Sequence, residues 1–144
     1  MKYKKLYLLL SLFLFFTPVK SETEYTLYSG TFDTIDKEGD EKATLYGFEH
    51  NNPILFRETF IGKFSPITGG FVTDKSSIYL YTGVQAEYEV GFLNIVPSFA
   101  PGYYNQGSGK DLGHALEFKS EVQLSLELPK ESQFGFSYNH LSNA

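Results

Sequence analysis

An all-β protein, specifically an antiparallel transmembrane β-barrel, is the fold predicted by the sequence. Three observations predict it. Apolar and polar residues alternate with a period of two along most of the chain, two of those runs outlast ordinary strands, and an apolar segment near the N-terminus has the layout of an export signal.

The export signal comes first in the chain. Lys2, Lys4 and Lys5 precede a mostly apolar run from Leu6 to Phe16, and small residues Val19 and Ser21 suit a cleavage after Ser21. The apolar run is far short of the roughly 18 residues of a spanning helix, so it reads as an address to be removed and not as an anchor. The expected organisation is a signal peptide over residues 1–21 and one barrel domain over 22–144. Losing four lysines and no acid takes the net charge from −5 to −9, which disfavours nucleic acid as a partner. The chain contains no cysteine, so disulfides cannot staple the fold and a lipid cannot be attached through a thiol.

The strands follow in order. Weaker alternation marks Tyr25 to Asp33, Ala43 to Asn51 and Phe60 to Thr73. The run from Ile78 to Phe92 is long, with Ile78, Leu80, Thr82, Val84, Ala86, Tyr88, Val90 and Phe92 on one side. Leu93 to Tyr104 comes next, its boundary marked only by Gly91 and Asn94. Leu116 to Leu128 is the clearest run, with Leu116, Phe118, Val122, Leu124, Leu126 and Leu128 sharing a face with Ser120. Gln133 to Asn143 completes the set. The two clearest runs last 13 and 15 residues. Strands of ordinary domains stop after about 5 or 6 residues, whereas a tilted membrane-spanning strand needs about 9 to 11. Turn-forming clusters at Lys37 to Asp40, Asn51 to Pro53, Asp74 to Ser77, Asn105 to Gly109 and Pro129 to Ser132 separate most of them. About seven strands result. Single-chain bacterial barrels use an even number, so at least one closing strand is expected beyond Ala144. Alternation does not say which face points inward, which keeps a soluble lipocalin-like barrel as a rival.

Chemistry concentrates at His140-Leu141-Ser142-Asn143. Residues two apart in a strand project to the same face, which brings a base beside a hydroxyl. A histidine within reach of a serine can take its proton as it attacks an ester carbonyl. The same parity puts Phe134, Phe136 and Tyr138 on that face, so the pair continues an aromatic, lipid-facing stripe. His50, beside Asn51-Asn52-Pro53, and His114, after Gly113, read as turn or loop histidines. Glu87, Glu89, Glu117, Glu121 and Glu127 read as lumen-lining, and no metal-ligand set is evident.

Taken together, Pro97-Ser98-Phe99-Ala100-Pro101-Gly102-Tyr103-Tyr104, Gly109-Lys110-Asp111-Leu112-Gly113, Leu116-Glu117-Phe118 and His140-Leu141-Ser142-Asn143-Ala144 resemble successive signatures of the PagL family of lipid A 3-O-deacylases. The resemblance implies an eight-stranded barrel in the outer membrane that hydrolyses an ester-linked acyl chain of lipid A, or lipopolysaccharide, without a cofactor. It implies Ser142 as nucleophile, His140 as general base, Asn143 in support and Phe118 lining the acyl-chain site. It leaves a homodimer open. In the family a catalytic Glu and further loop residues follow the Ser-Asn-Ala segment, so the 144-residue chain as written is expected to be an inactive fragment. A non-enzymatic structural or adhesive outer-membrane barrel is the rival reading from another class.

Overall fold

The computed structural model describes the backbone of residues 7–15 and residues 23–34, 43–109, 112–130 and 132–143. Both flanks of the expected export signal, and its expected cleavage point, lie outside the described residues.

Among the described residues there are ten strands: β1 (Tyr7–Phe15), β2 (Glu24–Thr34), β3 (Ala43–Asn51), β4 (Arg57–Thr59), β5 (Gly62–Thr73), β6 (Ile78–Ala86), β7 (Tyr88–Val90), β8 (Leu93–Asn105), β9 (Leu116–Leu128) and β10 (Ser132–Ser142). Seven long ones, β2-β3-β5-β6-β8-β9-β10 in spatial order, form one curled antiparallel sheet. The backbone of β1 pairs with β10 on one side and with β2 on the other.

Which way the faces point is decided by burial. Glu49, Glu117, Lys119, Glu121, Gln123, Ser137 and Asn139 are buried, whereas Leu80 and Phe136 on the opposite face are 58% and 53% exposed. The interior holds these polar and charged groups beside a buried cluster that includes Phe32, Leu45, Ile67, Phe71 and Leu141, while large apolar side chains cover the exterior. A water-soluble barrel has the reverse arrangement, so the sheet is that of a transmembrane barrel, and the lipocalin-like alternative falls.

The interior is tied together through hydrogen bonds and charge. Lys119 Nζ lies 3.6 Å from Glu49 Oε2 and 3.5 Å from Glu121 Oε2, and 4.2 Å from the centroid of the Tyr81 ring. Tyr81 donates its hydroxyl to Glu49 Oε2 at 2.6 Å and lies 3.2 Å, oxygen to oxygen, from the Tyr28 hydroxyl. Burying three charges is costly unless they are paired, and here the cation sits between both anions, held by charge and by the Tyr81 ring with no hydrogen bond to Nζ among the described residues. Large tyrosines are accommodated by glycines directly across the ladder. Tyr28 opposes Gly47, and Tyr81 opposes Gly69. A Cβ on Gly47 would fall 2.3 Å from Tyr28 Cε2, so only glycine leaves room for the ring.

Two strand expectations need correction. The expected run from Ile78 to Phe92 breaks at Glu87, between β6 and β7. Both pair with β8 in one register, but the ladder is interrupted opposite Pro101 and Pro97. Proline has no N–H to donate, and this explains both gaps. The weakly marked boundary is a two-residue hairpin at Gly91-Phe92, where Val90 pairs with Leu93 and Gly91 adopts φ of 66°. The expected strand from Phe60 begins instead at Gly62, because Phe60 and Ile61 form the turn of a small hairpin between β4 and β5.

Candidate active site

β10 carries the pair singled out in the sequence, and the interior fixes which way it faces. Ser137 donates to Glu121 Oε2 at 3.2 Å, Asn139 Nδ2 donates to Ser137 Oγ at 3.2 Å, and Leu141 is fully buried. A one-residue slip would move these groups to the outside, so the polar interior pins the register. His140 and Ser142, each one position removed, therefore share the outward face with Phe134, Phe136 and Tyr138.

Across the ladder, His140 opposes Ser120 and Ser142 opposes Phe118. Phe118 in turn opposes Pro101 on β8, and its ring stacks on Phe99 with centroids 5.8 Å apart and planes 13° apart. Directly opposed residues hold their Cβ atoms about 4.5–5.5 Å apart, so an aromatic platform begins beside the Ser142 hydroxyl. Both His140 and Ser142 are half-buried. The Nε2 atom of His140 is buried and has no hydrogen-bond partner among the described residues. An unsatisfied buried nitrogen costs about 1–3 kcal/mol, which any hydroxyl brought to it would relieve.

Asn143 does not join the pair directly. Its side-chain amide donates to the Leu112 carbonyl at 2.6 Å, fastening the loop between β8 and β9 to the end of β10. Gly113 beside it has φ of 87°, and a Cβ there would lie 3.2 Å from Asn143 Nδ2. Sequence reasoning did not identify this tether. Its signal was the Leu112-Gly113 element of the family signature, whose role is invisible until loop and strand end meet.

The remaining histidines are separate. His50 is not in a turn but in β3, on the outward face, with its ring 5.0 Å from that of Tyr25. His114 lies in the β8–β9 loop, where Nδ1 accepts from the Leu116 amide at 3.4 Å. Of the glutamates read as lumen-lining, Glu117 and Glu121 are buried inside, while Glu87, Glu89 and Glu127 are exposed toward one end of the barrel. Among the described residues no group of three or more His, Asp or Glu could hold a metal ion. An apolar furrow of about 630 Å³ runs along β3, β5 and β6, lined by Tyr46, Phe48, Gly70 and Leu80, three or four strand positions from β10 and thus apart from the His140/Ser142 pair.

No curated protein and no solved structure matches the chain. The family described as "Lipid A 3-O-deacylase (PagL)" matches residues 42–144, a span that takes in β3 to β10 and every side chain of the candidate site. With most of its length matched, and with a barrel whose outer wall presents the family's His-x-Ser-Asn motif at a strand end, the chain belongs to the PagL family.

Proposed function

We propose that this protein works in the outer membrane as an esterase on an ester-linked acyl chain of lipid A, with Ser142 as nucleophile and His140 as its general base. The observation that carries the reading is the shared outward face of His140 and Ser142, with Phe118 opposite Ser142 in the ladder. A membrane lipid reaches that face without leaving the bilayer, and its acyl chain would lie along Phe118 and Phe99. The family membership supports the same substrate.

In this mechanism His140 Nε2 takes the Ser142 proton as Oγ attacks the ester carbonyl, and returns it to the departing sugar hydroxyl. Water then cleaves the acyl-enzyme and releases the fatty acid. Asn143 acts through the loop it holds and not on the ester. The experiment is fatty-acid release from lipid A in detergent micelles by the full-length protein. Ser142→Ala and His140→Ala should each lower the rate by about 10³-fold or more while leaving the folded barrel intact. Release that survives either substitution would favour the structural or adhesive alternative.

A further inference from the structure

A second, polar cavity of about 360 Å³ opens at the same end of the barrel, lined by Tyr103, Asn105, Gln106, Gly113 and His114 over a floor of Tyr104 and Leu112. We propose that it holds the saccharide headgroup of a glycolipid whose acyl ester is presented to Ser142. The inference rests on the esterase reading above and extends it to how the substrate is recognised.

Four observations support it. First, the lining combines amide side chains, a half-exposed tyrosine and an imidazole, with no carboxylate among the described residues. Neutral hydrogen-bonding groups beside an aromatic ring suit a sugar, whose hydroxyls both donate and accept. Second, the imidazole has a defined donor. His114 Nδ1 accepts from the Leu116 amide, so the neutral ring carries its proton on Nε2 and can offer it to a hydroxyl or ring oxygen. Third, the walls are held in place from several sides. Asn105 Oδ1 accepts from the Gly107 amide at 3.0 Å, the Gln106 carbonyl accepts from Ser77 Oγ at 2.7 Å, and the Tyr104 hydroxyl donates to Ser77 Oγ at 3.3 Å. A cavity fastened in this way spends little entropy on ordering when a ligand enters.

The fourth observation connects the cavity to the reacting pair. Leu112 and Gly113, which line it, are the residues that Asn143 holds, and Asn143 follows Ser142. On the outer wall Tyr103 opposes Leu116, two residues along β9 from the Phe118 that opposes Ser142. Two strand spacings and two residues of rise put the cavity mouth about 12 Å from Ser142, within reach of a disaccharide bearing the ester. A lipid with its headgroup in the cavity would lay its chain down the Phe118 and Phe99 wall, past the serine.

The test needs no turnover, so its failure is distinct from failure of the esterase reading. The chain, refolded in lipid nanodiscs with ¹⁵N-labelled histidine, is titrated with a soluble glucosamine disaccharide and, separately, with the same disaccharide acylated and embedded in the disc. The expected result is saturable movement of the His114 imidazole signals with both, at least tenfold tighter for the acylated form. Gln106→Ala should weaken both by about tenfold, with the His50 signals unmoved as a control for folding. Ser142→Ala should leave binding unchanged while abolishing hydrolysis by the full-length protein. Silent His114 signals, or binding indifferent to Gln106→Ala, would overturn the site. Equal affinity for free and acylated sugar would overturn the glycolipid assignment.

Discussion

Replacing Lys119 by methionine probes the barrel interior most directly. The ammonium lies 3.5 and 3.6 Å from two buried carboxylates, and the side chain is 1% exposed. At those distances each pair carries about 5 kcal/mol of gross attraction at an effective dielectric of about 20. Desolvating three charges offsets most of that, so the net worth of the triad is small. Its disruption is a different matter. Lys119→Met leaves Glu49 and Glu121 facing each other without a cation, and breaking a buried pair by removing one partner costs about 3–5 kcal/mol. The folded-to-unfolded ratio should therefore fall by roughly a hundred- to several-thousand-fold. The assay is urea unfolding in detergent micelles, followed by the shift of the folded barrel on unheated gels. Adding Glu49→Gln and Glu121→Gln to Lys119→Met removes the stranded charges and should restore most of the loss. A single variant costing less than about 1 kcal/mol, or a triple variant no better than the single, would refute the account of the interior as a paired-charge plug.

Other predictions follow from single contacts. Gly47→Ala pushes a methyl into the Tyr28 ring and should cost about 1–3 kcal/mol in the same unfolding assay, with Tyr28→Leu on top relieving part of it. Asn143→Ala removes the bond to Leu112 O, worth about 0.5–1.5 kcal/mol, and should raise hydrogen exchange of amides in residues 112–116 while β9 stays protected. Phe118→Ala in the full-length protein should raise KM for a long-chain ester by about 10- to 200-fold with a smaller effect on a short-chain one. Glu87, in the break between β6 and β7, has its carboxyl raised above 4.5 by desolvation and by Glu24, Glu89 and Glu127. A raised folded-state value means stability that is complete below 4.5 and is lost as pH climbs through the raised one, so Glu87→Gln should flatten the unfolding midpoint over that window.

The face of each strand was legible in the sequence because a pleated strand has only two. Once Leu116 to Leu128 alternates, every residue in it is assigned to one wall or the other. The pairing of His140 with Ser142 on one face follows from the same rule. Breaks in the ladder were not legible from the run that broke. Ile78 to Phe92 alternates without interruption, and the cause of its division lies in Pro97 on the neighbouring strand, opposite Ala86 where β6 ends.

The sequence by itself determined the strand class, the spacing of the candidate dyad and the resemblance to its family, since these depend on local order along the chain. Tertiary structure decided which wall faces lipid, because alternation is symmetric until burial shows Glu49, Lys119 and Glu121 meeting inside from two different strands. It also decided what stands beside the serine. Phe118 opposes Ser142, and Leu112 meets Asn143, across 24 and 31 residues of chain. Such contacts are set by ladder register and loop closure, which no stretch of neighbouring residues encodes.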